Sequence, residues 1–169
     1  MEHQTAKRKE PVVSLNHRAI IEAPTHTIWH LLRQFGAIST WHPDVGHCVI
    51  AGGDTSGDGG AVRTLFLHSG DVIHERLLSI DNHEMSMIYG LRGSDVPITD
   101  FEACLRVTSE KADTRAIVEW STRFDSADKI AEARYRAFLQ RFVLNGLEGL
   151  GAHLGVSMRV DAKSISHAG

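Results

Sequence analysis

SADKIAEARYRAFLQRFVLNGLEGLGAHL, residues 126–154, is the stretch on which the fold turns. Phe138, Phe142, Gly146 and Gly149 recur at steps of four and three, with Leu139, Val143, Leu147, Leu150 and Leu154 beside them. That is the spacing of one apolar face of an α-helix. At 1.5 Å per residue the stretch predicts about 43 Å of helix, enough to lie across a whole curved sheet. Gly146, Gly149 and Gly151 stand inside it, although each costs roughly 1 kcal/mol against alanine in a helix interior. A covering helix thinned in this way is expected to leave space beneath it.

Upstream of this helix the signals are those of strands. Val13, Leu15, His17, Ala19 and Ile21 alternate with Ser14, Asn16, Arg18 and Glu22, the period-two pattern of a sheet with one wet face. Pro24 and Thr25 open a helix predicted to run to Phe35, with Gly36 as its left-handed cap and a second short helix or turn to Trp41. From Gly46 onward, turn clusters at 52–60, 69–71, 81–83 and 110–113 separate successive hairpin strands. Alternation is clearest in Met85, Met87, Tyr89, Leu91, then in Phe101, Ala103, Leu105, Val107, then in Ala116, Val118, Trp120, Thr122, Phe124. A one-residue slip would turn each set to water, so these faces are fixed by burial. The strands at 62–68 and 71–80 have apolar residues of both parities, and their faces stay open.

Composition narrows the function classes. With 169 residues and 42% hydrophobic content the chain is a single globular domain with a real core. The domain is placed at 12–155, between flexible, solvated tails at 1–11 and 156–169. The net charge is −3, and basic residues cluster only at Lys7, Arg8 and Lys9, which argues against nucleic acid as a partner. No stretch reaches the roughly 18 apolar residues of a membrane span, and the N-terminus lacks a signal-peptide core, so a cytoplasmic protein without stable membrane insertion is expected. Cys48 and Cys104 share no motif; they read as small buried or half-buried side chains.

Several local stretches carry a family resemblance: Ile21-Glu22-Ala23-Pro24 before Ile28-Trp29, Phe35-Gly36 to Trp41-His42-Pro43, Gly60-Ala61-Val62-Arg63-Thr64-Leu65, His74-Glu75-Arg76-Leu77 with Ile80-Asp81, and Val118-Glu119-Trp120. In their order they resemble the START-like, birch-pollen-allergen-like helix-grip superfamily (SRPBCC), in its polyketide cyclase/dehydrase and lipid-transport branch. The resemblance implies an α+β fold: a curved antiparallel sheet of about seven strands around a long C-terminal helix, with two short helices after strand 1. The chain is also similar to the plant abscisic-acid receptors, in which a glutamate of the Glu-Arg-Leu stretch faces the hormone pocket. Carried over, this implies a cavity between sheet and helix holding Glu75 and Arg63, lined by Leu65, Leu67, Tyr89, Leu91, Ile98, Phe101, Ala103, Trp120, Phe138 and Phe142. The Ser69-Gly70 turn and the 93–98 segment would stand where the receptors have gate and latch. The turn lacks their gate proline and Val45-Gly46-His47-Cys48 lacks their carboxylate-binding lysine, so the resemblance does not extend to that hormone.

A cleft of aromatic, methionine and leucine side chains with few polar groups suits a hydrophobic, ring-bearing small molecule. Glu75, shielded from water, is the candidate general acid/base, and Arg63 the candidate to hold an enolate or phenolate oxygen. A purely structural Glu–Arg pair is the competing reading of the same two residues. The protein is thus expected to bind an aromatic or polyketide-like ligand, as monomer or homodimer. The alternatives are a metal-independent cyclase/dehydratase acting on such a ligand, and an interaction module using Val96, Pro97 and Ile98 at the mouth. Among eleven histidines, His26 and His30 have an i, i+4 spacing, but Thr27 stands where a zinc protease needs glutamate. No metal and no cofactor is expected, and His17 reads as a hydrogen-bonded core histidine. GGDTSGDGG lacks the Lys-Ser/Thr of a phosphate loop, and no GxSxG elbow is present.

Overall fold

A computed structural model describes residues 13–52, 60–93, 97–112, 114–161 and 167–168. The expectations for the 1–11 tail, for most of the 52–60 turn and for Val96 lie outside the described residues. The period-two stretches form β1 (Val13–Ile21), β2 (Val45–Ala51), β3 (Val62–Leu67), β4 (Val72–Asp81), β5 (Ser86–Leu91), β6 (Thr99–Lys111) and β7 (Arg115–Asp125). The helices are α1 (Thr25–Leu32), a 3-10 turn at Phe35–Thr40, and α2 (Lys129–Leu154). The sheet runs β2-β3-β4-β5-β6-β7-β1, all neighbours antiparallel, with α2 packed on its inner face.

The clear alternations turn inward as expected: Met87, Tyr89, Ala103, Leu105, Val107, Ala116, Val118, Trp120 and Phe124 are all buried. Where the sequence left β4 open, hairpin register decides. Arg63 stands opposite Glu75 and Leu77 opposite Tyr89, so Glu75 and Leu77 face in while His74, Arg76 and Leu78 are exposed.

Four expectations are corrected. The sheet exceeds seven strands, because β8 (Met158–Val160) pairs with Ala19–Ile21 and β9 (His167–Ala168) with Val13–Ser14. Among the described residues after 155, β8 and β9 are therefore not simply solvated; they pair along the outer edge of β1, which otherwise exposes unpaired backbone groups. α1 stops at Leu32, and Gly36 sits inside the 3-10 turn instead of capping it. A Cβ there would lie 2.6 Å from Ile50, so close approach, not left-handed backbone, explains the glycine. α2 begins at Lys129 rather than Ser126, because the Asp128 carboxylate accepts from the Ile130 and Ala131 amides and fixes the cap.

The fourth correction concerns the thinned helix. At Gly146 a Cβ would fall 2.7 Å from Trp120 and 2.8 Å from His42; at Gly149 it would meet the Trp41 carbonyl oxygen and Pro43 Cδ at 2.6 Å. The glycines do not leave space. They let the Trp41-His42-Pro43 segment lie directly against the helix, and the C-terminal half of α2 is seated on a filled core.

Candidate functional site

A cleft of about 1250 Å³ opens at the other end of α2, between the β3–β4 turn, the end of β5 and the first turns of the helix. Ile73, Leu91, Tyr135 and Phe138 give it apolar walls; Asp71, Arg92, Asp128 and Arg134 stand among its polar lining. Behind it the aromatic rings form a continuous column. Tyr135 meets Phe124 edge-on at 5.1 Å and Phe138 at 5.7 Å, Phe138 stacks on Phe142 at 5.5 Å, and Phe142 stacks on His42 at 4.1 Å. Offset and edge-to-face arrangements of this kind suit the ring quadrupoles.

Beside this column lies a buried ion pair. The β3–β4 register puts Arg63 opposite Glu75, and the β4–β5 register puts Glu75 opposite Leu91, a wall of the cleft. Arg63 Nε donates to Glu75 Oε2 at 2.7 Å, and its Nη1 donates to the Phe35 carbonyl at 2.9 Å. The guanidinium lies 4.0 Å from the Phe35 ring centroid and 5.0 Å from that of Tyr89. With 3% and 5% exposure the two charges are nearly out of water, a state sustained only by close pairing and further hydrogen bonds. Tyr89 Oη accepts from Trp120 Nε1 at 2.9 Å; burial, and then the Glu75 charge, push the Tyr89 hydroxyl far above the ordinary tyrosine range. The same two causes, in the same order, raise Tyr135, so the Glu75 charge is felt at the cleft wall.

Of the ligand-lining residues expected from sequence, Leu91 and Phe138 line the cleft. Arg63, Glu75, Leu65, Leu67, Tyr89, Ala103, Trp120 and Phe142 are buried behind it, and Phe101 is half-buried against Tyr135. Ile98, expected in the cavity lining and, in the interaction reading, exposed at the mouth, is not among the residues lining the cleft and is buried in a satellite cluster with Val13, Leu15, Phe124 and Leu139. That removes one of the apolar residues on which an interaction surface rested. The residues expected deeper in the cavity are thus buried, and the open volume of the cleft lies against Leu91 and Phe138.

Tyr135 was missed, although it stands three residues before Phe138 on the same helical stripe. His42 was missed as a core group. It is 1% exposed; Nδ1 accepts from the Asp44 amide at 3.2 Å, so Nε2 carries the proton and donates to the Phe142 carbonyl at 3.0 Å. Burial lowers its pKa to about 4. His17 is buried as expected, but its Nδ1 finds no hydrogen-bond partner among the described residues, and burial lowers its pKa too. His26 and His30 are exposed on α1 and border a shallow hollow with Trp29, Arg33 and Met85. Among the described residues no three His, Cys, Asp or Glu side chains are grouped to hold a metal ion. Cys48 and Cys104 are free and half-buried, and burial raises both thiols. No helix among the described residues is long and apolar enough to cross a membrane.

Comparison with known proteins places this geometry in a family. No curated protein matches the chain significantly by sequence. A solution structure of a protein from Thermobifida fusca is similar at 26% identity and a TM-score of 0.73, over 84% of this chain and 93% of that one. The Zhui aromatase/cyclase from a Streptomyces species matches at 15% identity and a TM-score of 0.72, over 83% of this chain and 93% of that one. A norcoclaurine synthase point mutant from Thalictrum flavum matches at 14% identity and a TM-score of 0.70, over 88% and 98%. The last two likenesses speak to the fold, and all share the sheet-and-helix grip described above. The family model for polyketide cyclase/dehydrase and lipid transport matches residues 12–155. The chain therefore belongs to the polyketide cyclase/dehydrase and lipid transport family of helix-grip proteins.

Proposed function

We propose that the protein binds a hydrophobic, ring-bearing small molecule of aromatic or polyketide type between its sheet and the N-terminal half of α2. The observation that carries this reading is the cleft of about 1250 Å³, with its apolar walls of Ile73, Leu91, Tyr135 and Phe138 leading toward a buried polar pair. Family membership and the aromatase/cyclase among the similar structures support it. The Phe138 ring is half-buried where the cleft meets the aromatic column, stacked on Phe142 at 5.5 Å.

A second reading, an enzyme that cyclises or dehydrates such a ligand, is favoured by the register. Glu75 faces Leu91 across one strand pair and so stands one side chain from the cleft. In this reading Glu75 is the general acid/base, and Arg63, held by Phe35 and Glu75, meets the developing oxyanion. Metal-independent chemistry suffices for both roles.

Two variants test the pair of readings. Phe138→Ala is expected to change the dissociation constant for a bound aromatic probe by about tenfold, and an unaltered constant refutes the site. Glu75→Gln is expected to abolish turnover of a polyketide-like substrate while leaving its affinity within a few-fold; unchanged turnover refutes the catalytic role.

A further inference from the structure

The polar lining of the cleft is not symmetric in its bonding. Its two acids are already engaged: Asp71 Oδ2 accepts from Ser69 Oγ at 2.9 Å, and Asp128 Oδ1 accepts from the Ile130 and Ala131 amides at 2.9 and 3.3 Å. The Ile130 and Ala131 amides at the helix N-terminus are therefore already taken by this cap. The two arginines are different. Among the described residues neither Arg92 nor Arg134 has an ion pair or a side-chain hydrogen bond, whereas Arg136, two residues along the same helix, pairs with Glu132 at 3.4 Å.

The two guanidiniums also come from opposite sides. Arg92 follows β5, and its amide donates to the His74 carbonyl at 2.9 Å, which ties the residue to β4. Arg134 projects from α2 immediately before Tyr135, whose ring belongs to the apolar wall. Two exposed cations above an apolar floor match a molecule with an apolar body and a negative end. Arginine forks donate paired hydrogen bonds to carboxylate and phosphate oxygens.

We propose that the ligand carries an anionic head group, a carboxylate or a phosphate ester, held at the mouth by Arg92 and Arg134 while its apolar body lies along Leu91, Tyr135 and Phe138. This rests on the ligand-binding reading above and adds the class of molecule: amphipathic and acidic, not merely hydrophobic. Rim ion pairs are individually modest, so the pair of arginines is expected to contribute about tenfold in affinity.

The test uses two fluorescent probes that differ only in a sulfonate, 8-anilinonaphthalene-1-sulfonate and N-phenyl-1-naphthylamine. Replacing both arginines, Arg92→Gln with Arg134→Gln, is expected to weaken the sulfonate probe about tenfold and leave the neutral probe within twofold, at an unchanged melting temperature. Equal weakening of both probes, or of neither, overturns the head-group assignment while the cleft reading stands. Failure of the wild-type protein to bind either probe overturns the cleft reading and this inference with it. Displacement of the neutral probe by dodecanoate, dodecyl phosphate and dodecanol then separates the sources. Tighter displacement by one anion identifies its head group; displacement by dodecanol as tight as by both anions overturns the proposal.

Discussion

Replacing Gly149 by alanine sets two opposed effects against each other. Intrinsic propensity favours alanine by roughly 1 kcal/mol inside a helix. The added methyl, however, points at the Trp41 carbonyl oxygen and at Pro43. The backbone there is held by the Trp41 and His42 amides, which donate to the Ile38 carbonyl at 3.2 and 2.9 Å, and the His42 ring is bonded at both nitrogens. Such a segment gives way only by shifting as a unit, and overpacking of this kind costs about 3 kcal/mol. The net expectation is a loss of about 2 kcal/mol, read in urea or thermal unfolding as a fall in Tm of roughly 4–8 °C for a chain of this length. Gly151→Ala is the internal comparison: its methyl meets Met158 Cγ at 2.8 Å and Cβ at 3.1 Å, with the Val156 carbonyl oxygen at 3.3 Å. That is a looser fit than the backbone at Gly149, and the variant is expected to cost less than Gly149→Ala, within about 1 kcal/mol of the parent. A Gly149→Ala protein more stable than its parent would refute the seating of the helix on Trp41-Pro43.

Three further outcomes follow from the same structure. His42 titrates near 6.5 when unfolded and about 4 when folded, so the unfolded state binds the extra proton; stability is full above pH 6.5 and falls by about 3 kcal/mol as pH drops to 4. His17 acts in the same direction, and a His42→Gln protein whose stability falls as steeply between pH 6.5 and 5 as the parent's would refute the assignment. Arg63→Met should cost about 3–5 kcal/mol by stranding the buried Glu75 charge, and Arg63→Met with Glu75→Leu should recover most of it; denaturation that shows no recovery would mean the loss is one of packing. Truncation after Gly155 removes the Ser157 carbonyl that accepts from the Glu22 amide at 3.0 Å, and hydrogen exchange at Glu22 and Ile20 should quicken at least tenfold while β5 is unchanged; equal protection would mean β8 does not guard that edge.

Much of this molecule was legible from periodicity alone. The inward faces of β5, β6 and β7 follow from alternation because a residue on the wrong face would expose its whole apolar set. The long helix follows from its stripe, ending at Leu154 with Gly155 at φ +67 as its left-handed cap. Glu75 and Arg63 were singled out by resemblance, and the structure brings them into contact across β3 and β4.

What the sequence could not carry were relations between segments distant along the chain. The glycines of α2 read as thinning because nothing local says that Trp41-His42-Pro43 will dock there, more than a hundred residues away in sequence. The face of β4 depended on which residue of β3 it met, and the burial of Ile98 on its partners in β1 and α2. Arg92 and Arg134 look like ordinary surface charges until folding brings the end of β5 and the start of α2 around one cleft. Pattern and propensity act over a few residues and therefore determine the elements and their buried faces. Close approach, register and the juxtaposition of charges are properties of packed pairs of elements, and only the tertiary structure decides them.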